Sequence, residues 1–95
     1  MATPLSPAEK EQLSAAHRAW RVNGETASRT FTFADFVAAI GFVARVALVA
    51  EKADHHPDID IRWNRVTLVL TTHSVGRLSD QDRSLIETID GWEAP

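Results

Sequence analysis

The stretch FVAAIGFVARVALVA, residues Phe36–Ala50, is the most apolar part of the chain and decides how the rest must be arranged. At about 100° per residue its apolar side chains cover most of a helix circumference, and Gly41, Arg45 and Lys52 form the only clear polar stripe. We therefore predict a helix from about Ala34 to Asp54 that is covered on more than one side. A chain of 95 residues has few other elements to cover it, so the pattern favours self-association. The alternative is a core helix sandwiched within one chain.

Three short elements are predicted before this helix. The segment Ser6-Pro7-Ala8-Glu9 combines an N-cap serine, a proline at the first helical position and a capping-box glutamate, which predicts a helix to about His17. Trp20–Val22 is a predicted strand, and Asn23-Gly24 is a predicted tight turn. The polar and apolar residues of Ser28–Phe33 alternate, so this segment is the predicted returning strand.

Three further elements are predicted after the helix, which Pro57 ends. Ile59–Trp63 alternates as a strand does, Trp63-Asn64-Arg65 marks a turn, and Val66–Thr72 is a β-branched fourth strand. Ser79–Ile89 is the predicted last helix, with Ser79 at its N-cap. The predicted fold class is α+β in the order α-β-β-α-β-β-α, a four-stranded antiparallel sheet with three helices on one face.

The composition fits a single globular domain over residues 1–95, since 44% of the residues are hydrophobic and 24% are charged. The absence of cysteine excludes disulfides, thiolate zinc sites and cysteine nucleophiles. A net charge of −3 argues against direct nucleic-acid binding. Residues 1–18 contain Glu9 and Glu11 and do not resemble a secretory signal, and the apolar stretch is broken by Arg45 and too short to span a membrane. We expect a cytoplasmic protein.

Three of the four histidines lie at the ends of predicted elements, where functional sites are often built. His55 and His56 lie at the end of the long helix just before Pro57, His73 lies just past the fourth strand, and Asp82 lies in the first turn of the last helix. These side chains suit acid–base chemistry near neutral pH. Structural interpretations stay open, because histidines complement a helix C-terminus and Asp82 can cap a helix. His17 has no partner in the pattern and is expected on the surface.

Other site chemistries fit less well. Three imidazoles and a carboxylate could bind zinc, but the His-x-x-x-His spacing of helical zinc sites is missing and adjacent helical positions point about 100° apart. The sequence specifies neither a Ser-His-acid order nor a glycine-rich phosphate loop. We therefore expect no metal in the site.

The run Glu51–Ile59 and the segments after it resemble the signature of the pterin-4a-carbinolamine dehydratases. The family pattern is a charged residue, three residues, His-His-Pro, five residues, an aromatic, nine residues, His, eight residues and Asp. The residues at these spacings are Glu51, His55, His56, Pro57, Trp63, His73 and Asp82. The resemblance extends to Trp20 and Phe33–Phe36 and covers about Trp20–Leu85.

The resemblance implies an enzyme, a 4a-hydroxytetrahydrobiopterin dehydratase. This hydro-lyase converts 4a-hydroxytetrahydropterin, the product of aromatic amino acid hydroxylases, to quinonoid dihydropterin and water, and it needs no metal or organic cofactor. Carried over by position, His55, His56 and His73 surround the pterin and transfer protons, and Asp82 orients or charges a histidine. The resemblance gives a secondary role in substrate binding to Glu51, Pro57 and Trp63.

The resemblance also implies partners. Family members form dimers and often tetramers through sheet edges and the long helix, so a homodimer or homotetramer is expected. A rival function is a non-catalytic one, as a dimerisation cofactor of a homeodomain transcription factor or an assembly module. One departure concerns the loop before the last helix, where many relatives have two glycines and this chain has Gly76-Arg77.

Overall fold

The computed structural model describes residues 2–92 and has the predicted order of helices and strands. The helices are α1 (Pro7–Ala16), α2 (Phe36–Ala53) and α3 (Asp80–Asp90). The strands are β1 (Arg21–Asn23), β2 (Thr26–Thr32), β3 (Asp58–Arg62) and β4 (Arg65–Leu70). They form one antiparallel sheet in the order β1-β2-β4-β3, which confirms the predicted fold class.

Each helix begins at a side-chain cap, which satisfies backbone N–H groups that the first turn leaves without a partner. In α1 the Ser6 hydroxyl accepts from the backbone N–H of Glu9, and the Glu9 carboxylate accepts from the backbone N–H of Ser6. Asp35 caps α2. In α3, Ser79 and Asp82 form a second capping box. The two capping boxes differ in burial, since Asp82 is fully buried and Glu9 is partly exposed.

The core lies between one face of the sheet and the helices. In the pairing of β2 with β4, Ala27 lies opposite Leu70 and Phe31 lies opposite Val66, and all four are buried. Successive side chains of a strand point to opposite faces, so these residues share one face. They pack in one cluster with buried residues of all three helices. This arrangement confirms the helices on a single face.

Several element ends differ from the predictions by one or two residues. The β1–β2 turn is Gly24-Glu25, because Asn23 still pairs with Thr26 and the positive φ of 61° falls on Gly24. The fourth strand stops at Leu70 rather than continuing to residue 72. The backbone of Thr72 instead pairs with residue 77, across the loop before α3.

Helix α2 is covered on only one side by its own chain. Ala39, Val46 and Ala50 are buried in the core, whereas Val37 is 79% exposed and Leu48 is 74% exposed. A helix sandwiched within one chain is therefore wrong for these residues, and an apolar face of α2 stays in contact with solvent. No helix within residues 2–92 combines the length and hydropathy needed to cross a bilayer.

His17 was expected on the surface, but it is half-buried and has a hydrogen-bond partner. Its Nδ1 atom lies 2.7 Å from Oδ2 of Asp90. The other carboxylate oxygen of Asp90, Oδ1, accepts from the Trp20 indole and from Arg29, each at 2.9 Å. His17 is half-buried and ties the end of α1 to the end of α3. Its role is structural, and it lies outside the histidine cluster described below.

Candidate active site

A tight turn follows α2, and after it the side chains of His55 and His56 point in different directions. Asp54 adopts the left-handed conformation, with φ 51°, and its N–H donates to the carbonyl of Glu51. The N–H of His55 donates to the carbonyl of Ala50 at 3.1 Å, which completes a Schellman motif. Both histidines therefore lie directly after the helix, which ends at Ala53, one residue before the predicted end at Asp54.

His55 points inward and meets Asp82. Its Nε2 atom lies 2.6 Å from Oδ1 of Asp82, and the two residues are 8% and 0% exposed. The other carboxylate oxygen of Asp82, Oδ2, accepts from the Thr72 hydroxyl at 2.6 Å and from the backbone N–H of Ser79 at 2.9 Å. Asp82 thus has both roles considered from the sequence, helix cap and histidine partner, because one oxygen caps α3 while the other contacts an imidazole.

The other two histidines are exposed. The Nε2 atom of His56 lies 2.8 Å from Oε1 of Glu51, in an ion pair open to solvent. His73 lies in the loop between β4 and α3, which is closed by backbone hydrogen bonds. The N–H of Gly76 donates to the carbonyl of His73 at 3.2 Å, and Gly76 has a φ of 67°, which a residue without Cβ adopts without strain. In this chain Gly76 therefore supplies the left-handed residue, and Arg77 follows it on the surface.

One cavity of about 240 Å³ brings the three histidines together. Its lining residues are Asp54, His55, His56, Thr71, Thr72, His73, Ser74 and Gln81. Asp82 lies behind this wall and is linked to the cavity through His55 and Thr72, both of which line it. Sequence reasoning missed most of the polar lining. The signal for Thr71 and Thr72 was present, since both directly precede His73 in a segment that carries the resemblance.

The remaining predicted binding residues do not line this cavity. Glu51 contacts it only through His56, and Pro57 is half-buried directly after His56. Trp63 is 69% exposed and lies in the turn at the opposite end of the β3–β4 hairpin from Pro57. Trp63 lies six residues after Pro57 along an extended strand, a separation of about 20 Å at ~3.3 Å per residue. The structure therefore does not bring Trp63 to the cavity of its own chain.

A larger cavity of about 360 Å³ lies between β2, α2 and the end of α3. It is lined by aromatic rings and by Arg29 and Arg45, and no histidine or carboxylate lines it. It therefore lacks the groups that exchange protons near neutral pH. Within residues 2–92 no group of three or more histidine, aspartate and glutamate side chains is arranged to hold a metal ion.

Comparison with known proteins identifies the family of the chain. Residues 3–92 match the family described as pterin 4 alpha carbinolamine dehydratase. A relative from Thermosynechococcus vestitus is 47% identical over 89 residues, which cover 94% of this chain and 94% of the relative. A relative from Roseiflexus sp. (strain RS-1) is 49% identical over 90 residues, which cover 95% of this chain and 97% of the relative. Both relatives carry the name of this dehydratase family.

Two solved structures share the fold. The transcriptional coactivator/pterin dehydratase from Brucella melitensis superimposes with a TM-score of 0.88 at 33% identity, over 97% of this chain and 100% of that one. A pterin dehydratase-like protein identified as a RuBisCO assembly factor in the alpha-carboxysome has a TM-score of 0.65 at 22% identity, over 79% and 89% of the two chains. The second likeness concerns the fold alone. From the family match and the relatives together, the chain belongs to the pterin-4a-carbinolamine dehydratase family, whose activity is that of a hydro-lyase.

Proposed function

We propose that this chain dehydrates 4a-hydroxytetrahydropterin to quinonoid dihydropterin by histidine acid–base catalysis, as a step of tetrahydropterin recycling. The observation that carries the proposal is the single cavity lined by His55, His56 and His73, of which His55 is bound to the buried carboxylate of Asp82. The family match supports the substrate class.

The proposed reaction needs one proton donor and one proton acceptor. Hydroxide leaves carbon poorly, so a protonated imidazole gives its proton to the 4a-hydroxyl and the C4a–O bond breaks to release water. The electron pair of a ring nitrogen forms the new carbon–nitrogen double bond, and a second imidazole accepts the proton that leaves the ring nitrogen system. The site loses one proton and gains one, so no metal, oxidant or reductant is required.

The three histidines bring different properties to this chemistry. His55 is held rigidly, because it is buried and bonded to Asp82. His56 and His73 are exposed, so they can exchange protons with water between turnovers. Glu51 orients the His56 ring, because its Oε1 atom lies 2.8 Å from Nε2 of His56. Pro57 restricts the backbone directly after His56 and so limits the directions that its ring can take.

The test is a spectrophotometric assay of dehydration with freshly generated 4a-hydroxytetrahydropterin, measured against the spontaneous rate. We expect the wild type to exceed that rate and the variants His55→Ala and His56→Ala to lose about 100-fold or more in kcat with the oligomer unchanged, since general acid–base groups contribute about that much. The matched control is His17→Ala, which removes the histidine outside the cavity and lowers stability rather than kcat. Full activity in both site variants would exclude the assignment.

A second candidate function is an assembly or binding module, and the observation that favours it is the exposed apolar face of α2. We propose that this face, with the unpaired edge of β3, supports a homodimer or homotetramer. Burying such a face removes apolar surface from water, which drives association. The same assay separates the two functions, because a pure module would form the oligomer without accelerating dehydration.

A further inference from the structure

Two buried hydroxyl groups form a connected chain behind the histidine cavity. Thr72 is 3% exposed and Ser79 is fully buried. Their hydroxyl oxygens are 2.6 Å apart, and the Thr72 oxygen is also 2.6 Å from Oδ2 of Asp82. The Ser79 oxygen accepts from the backbone N–H of Gln81 at 3.2 Å. Four groups are thus linked in a line that ends at the carboxylate.

Counting protons gives the direction of these hydrogen bonds. A hydroxyl has one proton to donate, and an ionised carboxylate only accepts. Thr72 therefore donates to Asp82, and Ser79 donates to Thr72. The reverse direction would spend the Thr72 proton on Ser79, leaving the Ser79 proton without an acceptor and requiring Asp82 to be protonated. Each hydrogen bond polarises the next donor, so the two hydroxyl groups together stabilise the ionised, hydrogen-bond-accepting form of the Asp82 carboxylate.

This arrangement decides which nitrogen of His55 is free. Oδ2 of Asp82 is occupied by Thr72 and Ser79, and Oδ1 accepts from Nε2 of His55. No buried side-chain nitrogen or oxygen among residues 2–92 lacks a hydrogen-bond partner. Nδ1 of His55 has no hydrogen-bond partner among these residues, so this atom is not fully buried. His55 also lines the cavity. The open nitrogen is therefore Nδ1.

We infer that Thr72 and Ser79 are positioning residues for the dehydration. Their hydroxyl chain holds Asp82 as a hydrogen-bond acceptor, keeps the proton of neutral His55 on Nε2, and so presents Nδ1 as the atom that exchanges a proton with the substrate. Neither hydroxyl touches the reacting atoms. The inference rests on the proposed function for its kinetic consequence, but the state of the His55 ring can be measured without substrate.

The test records two-bond proton–nitrogen correlations of the histidine rings in the ¹⁵N-labelled full chain, with His55 assigned from the spectrum of His55→Asn. We expect the neutral wild-type ring to carry its proton on Nε2. Thr72→Val keeps the side-chain shape and removes the hydroxyl that donates to Asp82. A carboxylate that has lost this donor takes up a proton more readily and can then donate it to Nε2, so we expect a mixture of tautomers. We also expect a loss of about tenfold in kcat with KM little changed. Thr72→Ser should restore the wild-type tautomer and the wild-type kcat.

Matched controls separate positioning from stability. Thr67→Val removes a hydroxyl from β4 that pairs with Thr30 on the open face, so neither measurement should change. Ser79→Ala breaks the chain one step further away and also removes a helix cap, whereas Ser6→Ala removes only the cap of α1. Of these two cap variants, Ser79→Ala should change the His55 spectrum and Ser6→Ala should not.

The outcomes are distinct. A wild-type tautomer pattern and wild-type kcat in Thr72→Val would overturn the inference, as would a kcat loss with an unchanged pattern. If Thr72→Val does not fold, Thr72→Cys keeps a weak donor of similar size and should shift the pattern partially; an unchanged pattern there would also overturn the inference. A wild-type protein that does not accelerate dehydration would refute the proposed function, while the ring measurements would still decide the hydroxyl chain.

Discussion

At the scale of the residue, Asp82 both caps the start of α3 and holds a histidine that lines the cavity. A carboxylate can accept several hydrogen bonds, and Asp82 accepts from Ser79, Thr72 and His55 while fully buried. Burial of a charge without such partners would cost several kcal/mol (about 3–5 when one partner of a pair is removed). The helix cap, the strand end and the imidazole are therefore held in one relative position.

We predict that Asp82→Asn lowers kcat more than stability. The amide oxygen is needed by the N–H of Ser79, which turns the amide NH₂ group towards Nε2 of His55 and forces the ring proton to Nδ1. We expect a loss of about 100-fold in kcat and of about 1–3 kcal/mol in the free energy of unfolding, measured by urea denaturation.

The matched control for this variant is Glu9→Gln, which changes the corresponding residue of the exposed capping box in α1 and touches no site residue. Its kcat should equal that of the wild type. If Asp82→Asn lowers the unfolding free energy alone and keeps its kcat, Asp82 is a helix cap and nothing more.

At the scale of the element, the two capping boxes show how burial changes the use of one motif. In α1 the carboxylate of Glu9 is open to water and also contacts Arg83 at 3.4 Å. The hydrogen bond from the backbone N–H of Ser6 is the main cause that lowers the pKa of Glu9, followed by the Ser6 hydroxyl and Arg83. The same motif in α3 serves the histidine cavity, because its carboxylate is buried beside His55.

The lowered pKa of Glu9 predicts a contribution to acid stability. A depressed pKa in the folded state means that the unfolded chain binds the proton more readily, so the stabilisation is present above the ordinary glutamate value of 4.5 and is lost as the pH falls through the lowered value. We expect the melting temperature of Glu9→Gln to fall less steeply than that of the wild type below about pH 4.5. Parallel curves in a thermal-melt series from pH 7 to pH 3 would contradict this.

At the scale of the whole molecule, the single chain leaves apolar surface exposed. Val37 and Leu48 are exposed on α2, and Ile59 and Ile61 on the edge strand β3 are 38% and 37% exposed. Exposed apolar side chains of this size on one helix or at alternate strand positions favour an interface. Both surfaces lie outside the histidine cavity, so assembly and catalysis can be tested separately.

We predict that Val37→Glu combined with Leu48→Glu shifts the oligomer towards the monomer, because association would then bury carboxylates without partners. Sedimentation velocity at several protein concentrations measures the shift. Lys52→Glu changes the charge of the same helix on its polar stripe and should leave the oligomer intact. A double variant with the mass of the wild-type oligomer would show that α2 is not the interface.

The amino-acid sequence by itself determined the element order, the strand pattern and the spacing of His55, His56, His73 and Asp82, because these depend on caps, turns and periodicity that are local in the chain. It did not predict the left-handed turn at Asp54, since aspartate adopts that conformation only occasionally, and here two backbone hydrogen bonds at the end of α2 accompany it.

Contacts between residues far apart in the chain were decided by the tertiary structure. It buried Asp82 against His55, 27 positions away, and paired His17 with Asp90. The matching spacings place Trp63 in the same motif as the histidines, but a spacing says nothing of direction. The physical reason is that a spacing counts residues along the chain, whereas the strands and turns between those residues determine whether their side chains come together.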